Sequence, residues 1–283
     1  GARMLPLPGR TYAILDRQRA RGLMYGTDEL IAALERAADA LHARHGTLLW
    51  LGNVGRRGGG DIPYSVSHNS GRDADIAFCY TDAQGNPVAP PDLVNLDEDG
   101  ISEKYDGYYR FDAARTWTVV EALLTDENVQ VQYLFIANPL KRMLLAHARR
   151  HGASQALLSL ADTVLGQPGR AAPHNDHLHV RIYCSRADVA GGCLNFGRVG
   201  AGVDLFADAK TKRIAQMVKR LKDPVAEQRA RAIERLAVLD ARARVRDVAT
   251  LLADPSPRVR SASALAVGRL GDQADVELLA SRI

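Results

Sequence analysis

The sequence has few cysteines, no long apolar segment and no recognisable secretory signal. Three cysteines in 283 residues are too few for a disulfide-rich scaffold, and they are too dispersed for a metal site made of thiolates. No run of about 18 apolar residues occurs, so the sequence predicts no membrane span. The N-terminal residues lack the basic and apolar parts of a secretory signal, although a mature exported chain would look the same. The number of cysteines therefore does not determine whether the protein works in an oxidising or a reducing compartment.

The overall composition is that of a globular protein, and a change of composition along the chain indicates two domains. Hydrophobic residues make up 46% of the chain and charged residues 25%, a balance that excludes a disordered or fibrous protein. Past Phe206 the composition shifts towards Ala, Leu, Val and Arg. We therefore predict a large domain over residues 1–200 and a smaller one over residues 208–283.

Periodicity in the N-terminal part mixes helix and strand patterns without a regular βαβ order. Residues 27–45 place apolar side chains at helical spacing behind a capping signal at Thr27. Further helices are predicted over 111–126 and 138–152, and strands over 46–55, 73–80, 129–137 and 177–184. This mixture predicts an α+β fold with a mainly antiparallel sheet flanked by helices.

The C-terminal part repeats itself with a period of 31 residues. At this period Arg229 matches Arg260, and the Asp-Pro pair that begins at Asp223 recurs at Asp254. Such self-similarity is typical of stacked helix pairs, because one pair alone cannot bury its apolar face. The pattern resembles short HEAT-like repeats, whose usual role is protein contact or structural support. We therefore expect an all-α repeat domain that could bind a protein partner.

Positive charge is concentrated in the same C-terminal part. From Lys210 onward there are 16 Lys and Arg against 9 Asp and Glu, while the whole chain has a net charge of only +4. Such a region could bind an anionic partner, such as nucleic acid or a cell-wall polymer, or its arginines could simply keep a helical face soluble. We favour the second interpretation and predict no nucleic-acid partner.

Two short motifs contain residues that suit a metal ion. His68 and Asp75 are seven positions apart, and a glycine between them lets the chain bend so that both side chains can converge. In HLHVRI, strand alternation places His177, His179 and Arg181 on one face. His68, Asp75 and one of these two histidines would form a three-ligand zinc site with a fourth position open for water, as in hydrolytic zinc enzymes.

The same motifs, SHNSGRDAD and later HNDHLHV, resemble those of the LAS-type zinc peptidases. They look most like the penicillin-insensitive murein endopeptidases, and the resemblance covers roughly residues 5–196. It implies a LAS-type peptidase fold in which His68, Asp75 and His179 bind Zn²⁺.

The general base of such a site would be a histidine. No glutamate lies within or immediately beside either motif, which removes the commonest base of zinc proteases. In the family pattern His177 stands in the site without binding metal, as a proton carrier or as a donor to the developing oxyanion. His174, an additional histidine in the loop before the strand, is the other candidate base.

Two arginines and two cysteines complete the predicted site. Arg72 beside the ligand loop, and Arg181 on the histidine face, could pair with a substrate carboxylate, although Arg72 could equally bond a loop carbonyl. Strand parity argues against a bridge between Cys79 and Cys184. Cys184 and Cys193 are therefore the better disulfide candidate, with three buried thiols as the alternative.

The resemblance implies an endopeptidase that hydrolyses D-Ala–diaminopimelate cross-links in peptidoglycan, and therefore a periplasmic or exported protein. One alternative is a D,D-carboxypeptidase or dipeptidase of the same zinc class, which a closed pocket rather than an open groove would favour. Another is a non-catalytic cell-wall scaffold that works through the helical repeats.

Overall fold

The computed structural model describes residues 3–7, 9–65, 67–168, 172–185, 188–189, 193–195, 207–239 and 241–271. The chain divides into two compact units, Gly1–Ser185 and Arg186–Ile283. In the part of the chain that the structure describes, no helix is long and apolar enough to cross a membrane. The predicted domain ends at residues 200 and 283 lie outside the described residues.

A six-stranded mixed sheet flanked by helices forms the centre of the N-terminal unit. The described strands are β1 (Arg3–Met4), β2 (Tyr12–Ile14), β3 (Tyr25–Gly26), β4 (Leu49–Leu51), β5 (Asp73–Ala77), β6 (Tyr80–Thr81), β7 (Pro87–Val88), β8 (Arg110–Phe111), β9 (Val131–Phe135), β10 (Leu165–Gly166) and β11 (His177–Ile182). The described helices are α1 (Asp16–Ala20), α2 (Asp28–His45), α3 (Ala113–Leu124), α4 (Asn138–Arg150) and α5 (Gln155–Val164), with a 3₁₀ turn at Glu103–Tyr105. The large sheet has the order β10-β9-β11-β5-β4-β2, β1 pairs with β3, and β6 lies between β7 and β8.

Helix α2 begins and ends where the sequence predicts. Thr27 Oγ1 accepts a hydrogen bond from the Leu30 amide at 3.3 Å, which caps the first turn. Gly46 follows the last turn with φ 68°, a left-handed conformation that glycine adopts without steric cost. Leu30 and Leu34 are fully buried on the inner face. Local capping and apolar spacing are thus sufficient to define this helix.

The large sheet is mainly antiparallel, as the sequence predicts, and parallel pairs occur at its two edges. The central pairs β9–β11, β11–β5 and β5–β4 are antiparallel, as predicted, whereas the outer pairs β2–β4 and β10–β9 are parallel. Helices α1 and α2 lie between β2 and β4 in the chain, and α4 and α5 lie between β9 and β10. A parallel pair requires such a crossover connection, so these helices return the chain to the edges in the parallel sense.

Strand β11 divides its side chains between the core and the opposite face of the sheet. The core side carries Leu178, Val180 and Ile182, all of them buried. The alternate residues project to the other face, as the period of two requires. The register with β5 pairs His177 with Ala77, His179 with Asp75 and Arg181 with Asp73. Polar side chains from two neighbouring strands are therefore brought together on one face.

The C-terminal unit is helical and has an apolar core of its own. Its described helices are α6 (Ala207–Arg220), α7 (Ala226–Val238), α8 (Val245–Ala249) and α9 (Pro257–Leu270), with 3₁₀ turns at Arg242–Arg244 and Thr250–Ala253. Among its buried side chains are Met217, Ile233, Leu236, Val248, Val259 and Val267. This confirms the predicted all-α domain.

The period of 31 residues recurs as a hydrogen-bonding pattern. Arg229 Nη1 donates to the carbonyl of Asp223, and Arg260 Nη1 donates to the carbonyl of Asp254, at 2.8 and 2.9 Å. Each arginine thereby holds the Asp-Pro turn that precedes its own helix. Arg229 also pairs with the carboxylate of Asp254 at 2.7 Å, which connects one repeat to the next. The repeated letters therefore correspond to repeated contacts, as expected of HEAT-like helix pairs.

Candidate active site

The candidate site lies where β5, β11 and the loop before β5 meet. His179 and Asp75 are directly opposite each other in the antiparallel register, so their side chains lie on the same face. The chain after β4 also passes close to Asp75: a Cβ on Gly52 would lie 2.8 Å from Asp75 Cβ. Only glycine permits this approach, which brings the segment after β4 against the site.

His68 enters the site from the loop before β5. It is 1% exposed, and its Nδ1 lies 2.6 Å from the carbonyl oxygen of Val54. Because a carbonyl only accepts hydrogen bonds, Nδ1 carries the donated proton and Nε2 presents its lone pair. Gly71, at φ 71°, then turns the chain into β5, and a Cβ there would lie 3.2 Å from the Thr27 amide.

Three imidazole nitrogens converge on one carboxylate oxygen. Asp75 Oδ1 lies 3.0 Å from His68 Nε2, 3.2 Å from His179 Nδ1 and 3.2 Å from His177 Nε2. Burial favours the neutral acid, but the charge of His177 and its hydrogen bond prevail and hold the pKa of Asp75 well below its usual range. Asp75 is therefore ionised at neutral pH.

This set of atoms suits a divalent metal ion. A nitrogen of His68, a nitrogen of His179 and an oxygen of Asp75 all lie within 4.8 Å of one another, and all three residues are buried. His68 Nε2 and His179 Nδ1 are 3.3 Å apart and can share at most one proton, so a cation is the partner that satisfies both lone pairs. Imidazole nitrogens and a carboxylate oxygen are typical ligands of catalytic zinc.

Two further residues orient these side chains. Asp73, fully buried, accepts a hydrogen bond from His179 Nε2 at 3.0 Å, and Arg181 Nε and Nη2 donate to its two oxygens at 2.8 and 3.0 Å. Asn53 Nδ2 donates to Asp75 Oδ2 at 3.0 Å. Partners of this kind fix the ring orientation and the protonated nitrogen of a metal ligand.

Sequence reasoning missed both Asp73 and Asn53. Asp73 could have been predicted, because alternation along DADIA places its side chain on the same face as that of Asp75. Asn53 could not have been predicted, because its hydrogen bond to Asp75 depends on how closely the segment after β4 approaches β5.

His177 lies between two carboxylates. Its Nδ1 is 2.6 Å from Asp176 Oδ1, and its Nε2 is 3.2 Å from Asp75 Oδ1. Burial disfavours the charged ring, but the charge of Asp75 and the hydrogen bonds to Asp176 and Asp75 prevail and raise the pKa of His177 to about 10. The ring therefore carries a proton at neutral pH.

His174 lies in the loop before β11, half-buried beside the other histidines. Its ring centre is 5.0 Å from that of His177 and 5.4 Å from that of Phe135. Burial and the charge of His177 lower the pKa of His174 to about 4, so its ring is neutral at pH 7. His174, His177 and His179 form a second group whose nitrogens lie within 4.8 Å of one another. The fold thus brings all five predicted metal and catalytic residues together.

The two arginines predicted to bind substrate make internal contacts instead. Arg72 is 2% exposed, and its Nη1 donates to the carbonyl of Ile182 at 2.8 Å, a strand carbonyl in place of the expected loop carbonyl. The guanidinium of Arg181 is held by Asp73 and by the carbonyl of Ser67. A buried guanidinium needs such partners, and a substrate carboxylate would have to displace them. The structure therefore favours a structural role for both.

The cysteines follow the predicted pairing. Cys184 and Cys193 form a disulfide, and Cys79 is a free thiol. Burial raises the pKa of Cys79 to about 12, so this thiol is protonated at neutral pH and is a poor nucleophile and metal ligand.

Comparison with known families agrees with this geometry. The family described as penicillin-insensitive murein endopeptidase matches residues 1–204, a range that includes the whole candidate site. The family of HEAT repeats matches residues 214–283. No curated protein matches the chain. Since the first match covers most of the chain, the N-terminal region is a murein peptidase, and the chain belongs to the penicillin-insensitive murein endopeptidase family.

Proposed function

We propose that this protein is a zinc-dependent murein endopeptidase that hydrolyses D-Ala–diaminopimelate cross-links in peptidoglycan. His68 Nε2, Asp75 and His179 Nδ1 would hold the Zn²⁺. When bound, zinc supplies a water whose pKa is lowered to about 7, and it polarises the scissile carbonyl. The side chains around the ion would hold and transfer the protons.

One observation carries the metal part of the proposal, the convergence of His68, His179 and Asp75. Their contacts of 3.0 to 3.3 Å are made by buried groups whose other polar atoms already have partners. His68 Nδ1 is bound by a carbonyl and His179 Nε2 by Asp73, which leaves one lone pair of each ring directed at the other two groups. Such preorganised donors are characteristic of a metal site and costly without one.

In this proposal His177 holds and moves a proton at Nε2. Asp176 fixes the ring through Nδ1, so Nε2 stays 3.2 Å from Asp75 Oδ1, next to the proposed ligands. A proton held there can stabilise the developing oxyanion or pass to the leaving amine. His174 has a neutral ring and is the second candidate for general base.

We also place the protein outside the cytoplasmic membrane, in the periplasm or after export. Its proposed substrate is a cell-wall polymer, and the disulfide between Cys184 and Cys193 is typical of oxidising compartments. The helical repeats would provide a contact with a protein partner or with peptidoglycan itself.

The test compares the wild type with His179→Ala, and with His42→Ala as a matched control on the exposed side of α2. Each purified protein is analysed for zinc and incubated with two dimeric muropeptides, one cross-linked through D-Ala–diaminopimelate and one through diaminopimelate–diaminopimelate. We expect stoichiometric zinc and release of monomers from the first dimer alone for the wild type and His42→Ala. His179→Ala should lose both zinc and activity.

Intact D-Ala–diaminopimelate dimers after incubation with the zinc-loaded wild type would contradict the endopeptidase and favour a cell-wall scaffold. Cleavage without bound metal would contradict zinc dependence.

A further inference from the structure

The internal roles of Arg72 and Arg181 leave the substrate's negative charge without a recognised partner. In a D-Ala–diaminopimelate cross-link, the carbon attached to the scissile nitrogen carries a free carboxylate. This anion must lie near the proposed zinc site whenever the scissile carbonyl does. A cationic side chain close to Asp75 would therefore be in position to bind it.

Arg21 is such a side chain. It directly follows helix α1, is half-buried, and donates from Nη1 to Asn53 Oδ1 at 3.3 Å. Asn53 in turn donates to Asp75 Oδ2 at 3.0 Å. The guanidinium is thus two hydrogen bonds away from a proposed metal ligand, and it approaches that ligand from outside the histidine cluster.

An aromatic ring holds the guanidinium of Arg21 in place. The central carbon of the guanidinium lies 3.6 Å from the ring centre of Tyr64, a close cation–π contact. Tyr64 is 54% exposed and lies in the loop that leads to His68. Stacking uses the flat face of a guanidinium and leaves the N–H groups at its edge free to bind a planar anion.

Among the described residues, no carboxylate pairs with the guanidinium of Arg21. Its two neighbours on α1 are paired, Arg17 with Asp92 at 2.5 Å and Arg19 with Asp16 at 2.6 Å. Arg21 forms no ion pair with any residue that the structure describes. A partly buried guanidinium with no carboxylate partner among the described residues can bind an external anion through charge-assisted hydrogen bonds.

We propose that Arg21, stacked on Tyr64, binds the carboxylate on the carbon next to the scissile nitrogen and so determines the specificity for this anionic substrate. The inference rests on the proposed function. It assigns to Arg21 the role that the sequence suggested for Arg72 and Arg181.

A purely structural role for Arg21 would act through Asn53. Loss of the Arg21–Asn53 bond would then disturb Asp75 and lower the rate on every substrate equally. Carboxylate binding, in contrast, affects only substrates that carry the anion. The two roles are separated by changing the substrate together with the residue.

The experiment measures kcat/KM on two D-Ala–diaminopimelate dimers that differ in one group, a free carboxylate or a carboxamide next to the scissile nitrogen. The proteins are the zinc-loaded wild type, Arg21→Gln, and Arg19→Gln as a control on the same helix. The wild type should prefer the free carboxylate by about 10- to 100-fold, the value of a hydrogen-bonded charge pair. Arg21→Gln should lose most of this preference, and Arg19→Gln should keep it.

Equal loss of rate on both dimers in Arg21→Gln, or no preference in the wild type, would overturn the inference. Cleavage of neither dimer by the wild type would be the failure of the proposed function. In that case the inference is tested by calorimetry, which measures how tightly the wild type and Arg21→Gln bind the uncross-linked stem peptide as the free acid and as the amide. Tighter binding of the free acid by the wild type but not by Arg21→Gln supports it, and equal binding of both peptides by the wild type refutes it.

Discussion

Replacing Asp73 by asparagine should weaken metal binding although it removes none of the proposed ligands. The carboxylate is fully buried and accepts three hydrogen bonds, from His179 Nε2 and from Nε and Nη2 of Arg181. Burial alone would raise the pKa of Asp73, but the hydrogen bonds from His179 and Arg181 lower it, so the group is ionised. Asparagine keeps the volume, removes the charge and turns an N–H₂ group towards these donors.

Two effects of this substitution can be estimated separately. The side chain of Arg181 is only 14% exposed, so loss of its counter-charge leaves a buried guanidinium uncompensated. Breaking a buried pair in this way costs about 3–5 kcal/mol, a large part of the 5–15 kcal/mol by which domains are typically stable. Loss of the outer hydrogen bond to His179 should lower zinc affinity by about 10- to 100-fold.

Urea unfolding of the metal-free proteins measures the first effect, and competition with a chromophoric chelator measures the second. Asp162→Asn is the matched control, because Asp162 also forms an ion pair, with Lys141, but is 68% exposed. It should change stability by less than about 1 kcal/mol and leave zinc affinity unaltered. If Asp73→Asn binds zinc as tightly as the wild type, the orientation of His179 does not depend on Asp73 and our reasoning is wrong.

Three further predictions concern other parts of the chain. His177→Gln should lower kcat by about 100-fold or more while zinc content stays unchanged, and metal loss would instead make His177 a ligand. Asp126→Asn should destabilise the fold above pH 4, because the hydrogen bond from Arg36 lowers the pKa of Asp126 and so stabilises the folded state. In the wild type this contribution is lost as the pH falls through the lowered pKa, and unfolding measured as a function of acid pH checks this. The Cys79 thiol should react with a thiol reagent at pH 8 much more slowly in the native protein than after unfolding, because its raised pKa leaves little thiolate, and equal rates would contradict this.

The elements predicted from the sequence were those specified by local chemistry. Helix α2 is defined by Thr27 at one end and Gly46 at the other, and its inner face follows from apolar spacing. The repeat domain could be recognised because each helix pair presents the same apolar and Asp-Pro pattern. The parallel edge strands could not be, since their partners depend on the path of the helices between them.

The candidate site divides in the same way. Alternation along β11 places His177 and His179 together, and the short loop between His68 and Asp75 limits how far apart these two can be. No local pattern of this kind determines the partners of Arg72 and Arg181. Whether a guanidinium meets a carbonyl, a buried carboxylate or solvent depends on residues about a hundred positions away, as in the pairing of Arg181 with Asp73.

By itself, the sequence determined the residue types of the centre, the faces on which they stand and the family to which the chain belongs. The residue types and their faces follow from spacings of seven residues or fewer, which the backbone geometry of a strand or loop converts directly into position, whereas the family follows from the resemblance of the two motifs. The tertiary structure alone decided which groups support the proposed ligands, and that Arg21 meets no carboxylate among the described residues. Those outcomes depend on burial and on long-range contacts, whose energies arise only after distant segments have packed together.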